Sequence, residues 1–576
     1  MAGSVDLDRA IVQWLEWDKN PKTLAEVRQL NCDGDIEQLQ ECFGSRMKFG
    51  TAGMRSIMGP GFSHMNDLTI IQTTQGLCRC LEKSFPDVKD RGVVIGFDAR
   101  AHPPSGSSSQ RFARFAATVL VSQGIPVYLF SQITPTPFVV YWDNGAQIVE
   151  PHDREIAEAI DKNLEPWSES WNDKLVDCSS LVKDPFENMK NKYLECLQKH
   201  CFHRDINKET KLKFVHTSVH GVGHEFVQAA LKAFSFTPPL AVPEQKDPDP
   251  EFPTVKYPNP EEGKDVLTLS FALADKEGAT VILANDPDAD RLAVAEKQES
   301  GEWKVFSGNE LGALLGWWNF TCWKKQNPES SCLKKAYMLS STVSSKILRA
   351  IALKEGFHFE ETLTGFKWMG NKAKELIDKG NTVLFAFEEA IGYMSTEFVL
   401  DKDGVSAAAI VAELASYLAT KNTTLSQNLK AIYEEYGYHL SKASYFICHN
   451  PETIDRLFQN LRKYNETNQY PKTCGKFEIS DIRDLTTGYD SSQPDKNAVL
   501  PTSKSSQMIT FTFKNGCVAT MRTSGTEPKI KYYAEICAPP GNSDFEKLKE
   551  ELNDLVNALV EHFFQPDKNG LTSQST

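Results

Sequence analysis

Along the chain, three short apolar runs share one design, each with strand character and each ending in acidic residues and a loop. They are VVIGFDAR (Val93 to Arg100), VILANDPDADR (Val281 to Arg291) and VLFAFEEAIG (Val383 to Gly392). Near-continuous apolar strands belong to sheets covered on both faces, so the pattern predicts α/β domains. Helical periodicity surrounds them, as in SSQRFARFAATVLVSQG and MGNKAKELIDKG. Polar groups just beyond the carboxyl ends of such strands are the usual place for a ligand. Three such ends on one chain predict three domains that face a common cleft.

The tail reads differently. FTFKNGCVATMRTSGTEPKIKYYAEI alternates as strands do around a turn, and FEKLKEELNDLVNALVEHFF follows as an amphipathic helix. Strands followed by a helix fit a separate α+β domain. With 576 residues, three to four domains are expected. We place them at 1–184, 185–303, 304–421 and 422–576, the first three α/β with mixed, mostly parallel sheets, and the last α+β. Linkers are expected at Glu165 to Lys174 and around Thr420 to Thr424. The prolines of AVPEQKDPDPEFPTVKYPNPEEG predict a long, ordered surface loop within the second domain.

Charge and cysteine usage narrow the class. A formal net charge of −14 argues against a general nucleic-acid binder and requires any anionic substrate to be held by a local basic site. Thirteen cysteines without framework spacing read as reduced thiols of a cytosolic protein. The N-terminus has no apolar core of a signal peptide. The longest apolar run, Val405 to Ala419, is interrupted by Glu413 and too short to span a bilayer.

The sharpest chemical signal is Asp286-Pro-Asp288-Ala-Asp290-Arg291, directly after VILAN. Three carboxylates at alternate positions of a tight loop can converge on one hard cation, most naturally Mg²⁺. A calcium EF-hand would need glycine at its sixth position and glutamate at its twelfth, where Arg291 and Gln298 stand. A second signal, Arg522-Thr523-Ser524-Gly525-Thr526 with Lys529 and Lys531 beyond it, is either a phosphate cradle or a basic hairpin turn. A third, Glu388 and Glu389 with Lys402 downstream, is either a sugar-hydroxyl site or a capped turn. Phe49 to Arg55 adds a glycine loop with a basic end. His216, His220 and His224 would share a face only in a helix. KFVHTSV reads as a strand entering a glycine loop, so no histidine metal site is expected there.

Together, in order and over nearly the whole chain, these motifs resemble the signature loops of the α-D-phosphohexomutase family. DPDPEFPTVKYPNPEEG, NDPDADRLAVAE, LTGFKWMGN and TMRTSGTEPKIKYYAE are similar to its phosphopentomutase branch. The resemblance implies a phosphosugar mutase, a phosphopentomutase or phosphoglucomutase, that moves phosphate between C1 and C5 or C6 through a sugar bisphosphate and an enzyme phosphoserine. It implies Mg²⁺ on Asp286, Asp288 and Asp290, with Arg55, Arg291 and Lys402 near the reacting phosphate. It assigns Thr364, Gly365 and Glu388 to the sugar. Arg522, Ser524, Gly525, Thr526 and Lys531 would hold the other phosphate. Substrates are expected to be ribose, deoxyribose or glucose 1-phosphate, with a sugar 1,5- or 1,6-bisphosphate as activator, in a cytoplasmic monomer without nucleic-acid or membrane partners. Synthesis of glucose 1,6-bisphosphate remains a sister activity.

One departure outweighs these matches. Family members carry a strand and a Thr-Ala-Ser-His-Asn-Pro loop after the Ile-Thr-Pro-Thr-Pro-Phe segment. Here Ile133 to Phe138 runs directly into Val139-Val140-Tyr141-Trp142. The lost serine is the phosphoryl carrier, so the resemblance predicts an inactive or severely impaired chain; the alternative is a catalytically dead form that still binds Mg²⁺ and phosphosugars. It also predicts a gap in the first domain's sheet.

Overall fold

A computed structural model describes residues 2–51, 53–138, 142–262, 264–464, 469–504, 506–524, 528–542 and 544–573. The join at Val139 to Tyr141 therefore lies outside the described residues. The chain divides into two compact units. The first comprises Met1–Phe306, Phe366–Glu375 and Ile391–Lys421; the second comprises Ser307–Gly365, Leu376–Ala390 and Asn422–Thr576. No helix among the described residues is long and apolar enough to cross a membrane.

In the first unit, the strand Val281–Asn285 pairs in parallel with Phe214–Thr217 and antiparallel with Leu292–Lys297. Leu240–Ala241 and Trp303–Val305 complete a five-stranded mixed sheet. Every residue of Phe214–Thr217 and Val281–Asn285 is buried, as the apolar runs require of a sheet covered on both faces. The run at Val93 forms a shorter strand, Val93–Ile95, parallel to Val127–Leu129, which in turn pairs in parallel with Val182–Lys183. All of Val93–Ile95 is only half-buried.

The segment expected as a linker, Glu165 to Lys174, is instead packed. Gln75 accepts from the Trp167 backbone N–H at 2.8 Å and from the Ser170 hydroxyl at 2.7 Å. Trp171 stands edge-on to Phe115, with centroids 5.3 Å apart. Its two tryptophans pack, partly buried, against the core of the first unit, and this outweighs its polar composition.

The apolar run at Val405 becomes the helix Gly404–Ala419, capped by Asp403, whose carboxylate accepts from the N–H groups of Val405 and Ser406. Tyr193 donates to the same carboxylate at 2.7 Å. Glu413 is fully buried in this helix and accepts from the N–H groups of Phe202 and His203 and from the Asn207 amide, at 3.0, 2.9 and 3.0 Å. Those donors explain how a carboxylate persists in the longest apolar run.

In the second unit, Ala336–Ser341 lies between His358–Thr362 and Thr382–Glu388, all parallel. The helix Gly308–Gln326 begins in a capping box between Ser307 and Glu310. Its Gly312 allows close approach: a Cβ there would sit 2.5 Å from the Phe387 ring. The C-terminal part forms an antiparallel sheet in which Cys517–Thr523 lies between Met508–Phe513 and Lys529–Cys537, followed by the helix Phe545–Leu559. The architecture is thus α/β with mixed, mostly parallel sheets, followed by an α+β C-terminal portion.

Glu361 binds Lys346 Nζ at 2.9 Å and Arg483 Nη1 at 3.1 Å. Burial pushes its carboxyl up, but the two cations outweigh this and bring it down from 4.5 to about 2. A depressed carboxyl contributes stability above its unfolded value and loses it as pH falls through its folded value. In urea unfolding, the stability gap between the native chain and Glu361→Gln should be full at neutral pH. It should shrink as pH falls from 4.5 towards 2.

Candidate functional site

The buried strand Val281–Asn285 delivers the acidic loop at its carboxyl end. Asp286, Asp288 and Asp290 each offer a carboxylate oxygen, all within 4.8 Å of one another. Alternation along the loop aims all three inward because Ala289 adopts a left-handed backbone, φ 56°. Pro287 packs on Gly221, where a Cβ would approach its Cα to 2.3 Å. The Arg291 N–H donates to Asp286 at 3.0 Å and holds the loop closed.

Such proximity is costly for bare carboxylates. Burial, together with the charges of Asp288 and Asp290, pushes the Asp286 carboxyl well above the usual range. Burial raises Asp290 too, against the pull of Lys402. Burial also opposes the charge on Asp288, yet Arg100, the Thr136 hydroxyl, a hydrogen bond with Asp286 and Lys402 outweigh it and hold that carboxyl below its ordinary value. Lys402 Nζ lies 2.8 Å from Asp290 and 3.4 Å from Asp401. Thr136 donates its hydroxyl to Asp288 Oδ2 at 2.8 Å and its N–H to the Asp288 carbonyl at 3.0 Å. Three converging hard oxygens with excess negative charge fit a divalent cation.

A cavity of about 400 Å³ opens on this loop. Asp288, Asp290, Lys402, Arg55, Thr136 and Gln147 supply its polar lining, with Thr51 on the glycine loop. That loop is a tight turn in which the Gly50 and Gly53 backbones exchange hydrogen bonds of 3.1 and 2.9 Å. Gln147 donates to Asp401 at 2.6 Å and Lys367 to the Thr51 hydroxyl at 2.8 Å. The described lining contains neither serine, cysteine nor histidine.

Five of the expected residues thus come together around the cavity: Asp288, Asp290, Lys402 and Arg55 line it, and Asp286 lies on the same loop. Arg291 lies alongside, its Nε 3.9 Å from both Asp286 and Asp290. Arg100 and Thr136 were not singled out by sequence reasoning. Arg100 could have been, because it ends an apolar strand run just as Asp286 does. Thr136 sits in a short 3₁₀ turn whose role comes only from its distant contact.

The second unit carries the other expected groups. Glu388 accepts a short hydrogen bond from the Gly365 N–H, beside Thr364. Arg522 and Lys531 stand directly opposite each other across an antiparallel pair. Like charges so placed repel unless an anion joins them. Arg522 also donates to the Tyr533 hydroxyl at 3.0 Å. The Ser524 N–H is tied to the Lys529 carbonyl at 2.9 Å. Gly525 and Thr526 lie outside the described residues. Among the described residues, the aspartates bring three candidate ligand atoms together, whereas His216 lies on the strand Phe214–Thr217 and His224 on the helix Gly223–Ala233.

Asp290→Asn replaces one carboxylate of the cluster by a neutral amide and removes the nearer of two carboxylate partners of Lys402. Calorimetric Mn²⁺ titration should show affinity reduced at least about tenfold, roughly 1.4 kcal/mol. Gly404 lies where a Cβ would meet the Arg291 carbonyl at 2.2 Å. Gly404→Ala should therefore lower stability by about 1–3 kcal/mol in chemical denaturation.

Residues 46–141, 191–301 and 307–436 match the α/β/α domains I, II and III of phosphoglucomutase/phosphomannomutase. The chain is 71% identical over 593 aligned positions to a Homo sapiens phosphopentomutase, covering 98% of this chain and 97% of that protein. It is 57% identical over 601 positions to a Homo sapiens glucose 1,6-bisphosphate synthase, covering 100% and 97%. Among solved structures, the open form of Paramecium parafusin, a phosphoglucomutase, matches with a TM-score of 0.60 at 17% identity, covering 88% of this chain and 93% of that one. A Burkholderia thailandensis phosphoglucomutase/phosphomannomutase family protein matches with a TM-score of 0.59 at 16% identity, covering 88% and 96%. With its acidic loop at the end of a buried strand and all three α/β/α domains matched, the chain belongs to the α-D-phosphohexomutases, the phosphoglucomutase/phosphomannomutase family.

Proposed function

We propose that this chain is a phosphosugar-binding member of the phosphopentomutase branch whose mutase turnover is severely impaired by the absence of a phosphoserine carrier. The observation that carries the reading is the cavity beside the acidic loop. It holds cations and carboxylates for a phosphate, but its described lining offers no serine. Its two lining hydroxyls are engaged, Thr136 with Asp288 and Thr51 with Lys367. The 601 aligned positions with the bisphosphate synthase exceed the chain's own 576 residues. This fits a chain that lacks an internal segment. The half-buried strand Val93–Ile95 fits a first domain with a thinner sheet.

In this reading the four domains span 1–184, 185–303, 304–421 and 422–576. Asp286, Asp288 and Asp290 hold Mg²⁺, which when bound draws charge from the phosphoryl oxygens. Lys402, Arg55 and Arg291 neutralise the reacting phosphate. Glu388, with Thr364 and Gly365, takes the sugar hydroxyls. Arg522, Ser524, Gly525, Thr526 and Lys531 hold the second phosphate, because a guanidinium and an ammonium forced together relax on an anion. The ligands are ribose, deoxyribose or glucose 1-phosphate and a sugar 1,5- or 1,6-bisphosphate, met in the cytoplasm by a monomer.

A coupled assay with Mg²⁺, ribose 1-phosphate or glucose 1-phosphate and the matching bisphosphate tests the proposal. A control chain carrying the Thr-Ala-Ser-His-Asn-Pro segment from a relative runs beside it. Turnover is expected from the control alone, with calorimetric binding of ribose 1-phosphate by both. Equal turnover by both would overturn the reading, and phosphate labelling would then locate another carrier.

A further inference from the structure

The acidic loop is closed by a side chain outside the cavity. Asn285, fully buried, is the last residue before the loop, and its Nδ2 donates to the carbonyl of Arg291, just beyond it, at 2.7 Å. One carboxamide therefore spans the loop from end to end and sets its aperture. The amide can do this in only one orientation, with Oδ1 turned away from Arg291. There it meets Nε2 of His216, 3.0 Å away on the neighbouring parallel strand. Since Oδ1 can only accept, His216 must donate from Nε2 and leave Nδ1 bare. The packing agrees, because Nδ1 is buried without a partner among the described residues, against the stacked ring of His224.

We propose that His216 is a positioning residue for the acidic loop: it orients the Asn285 carboxamide, which clamps the Arg291 carbonyl and holds the three carboxylates at cation-binding spacing. The inference rests on the reading that this loop binds a divalent cation. Groups one layer outside the ligands characteristically set their orientation, and losing one costs affinity rather than fold. The surrounding backbone shares the task. Val219 and His220 hold left-handed conformations, φ 48° and 60°, unusual for a β-branched residue and its neighbour. The next residue, Gly221, takes Pro287 of the acidic loop against its bare Cα. The Val222 N–H donates to the Pro287 carbonyl at 2.8 Å. Local strain of this kind persists where the surroundings over-determine a site. Burial brings His216 down to about 4, so the ring stays neutral and its single N–H stays committed to Asn285.

The test is Mn²⁺ titration of the full chain, by calorimetry and by the loss of the free-ion electron paramagnetic resonance signal. It compares the native protein with His216→Phe, which keeps ring volume without a donor, and His216→Gln, whose amide can place N–H groups near the Nε2 position. We expect Mn²⁺ affinity to fall about ten- to hundredfold in His216→Phe and to return to within about threefold in His216→Gln. Unfolding midpoints are recorded alongside. If His216→Phe does not fold, His216→Asn, polar but too short to reach Asn285, carries the comparison and should weaken Mn²⁺ to the same degree. Native affinity in the donor-less variant, or equal weakening in His216→Phe and His216→Gln, would overturn the positioning role while leaving the metal reading intact. A native chain that fails to bind Mn²⁺ would overturn both.

Discussion

Three carboxylate oxygens held within 4.8 Å of one another in a buried loop set the terms for much of the first unit. Mutual repulsion and lost hydration would open such a loop unless neighbouring groups compensated. The compensation comes from three directions. Lys402 supplies a charge on Asp290, the Thr136 hydroxyl engages Asp288, and the Arg291 N–H binds Asp286. The first two require a distant segment to arrive in register, whereas the Arg291 N–H lies within the loop itself. Lys402 does so because Asp403 caps the helix beginning at Gly404 and is itself bound by Tyr193. Gly404 does so because it lacks the Cβ that would strike Arg291. A solvated acidic turn would need none of this support.

In the proposed reading, the same arrangement separates binding from turnover. Stabilising a transferred phosphoryl group is mainly a matter of placed positive charge, which in that reading Lys402, the arginines and a cation held by the acidic loop would provide. Carrying that group from one end of a sugar to the other requires a nucleophile as well. The cavity's hydroxyls are threonines bound to other residues. In the proposed reading the chain keeps much of the family's electrostatics without the atom on which the reaction cycle turns. The paired cations of the second unit follow the same logic. Arg522 and Lys531 are placed opposite each other at an electrostatic cost, which a bound dianion would remove.

Much of this was legible in the residues. The apolar runs at Val281 and Val383 became strands, and their acidic ends became loops, because continuous β-branched and apolar residues have few alternatives in a covered sheet. The His216 to His224 spacing read as a strand entering a loop, and the structure agrees. Glu165 to Lys174 was misread because its polar residues outnumber its two tryptophans, whereas burial energy follows area rather than residue count.

Local sequence thus determined the acidic loop, the strands on which Arg522 and Lys531 stand, the α/β character and the family. Those features depend on residues adjacent in the chain, whose backbone preferences and charges act at short range. Tertiary structure alone decided that Thr136, Arg100 and Lys402 serve Asp288 and Asp290, and that His216 reaches Asn285. These partners are separated in sequence by tens to hundreds of residues. Their contact depends on strand register and helix placement, which arise only when the sheet and its covering helices pack together.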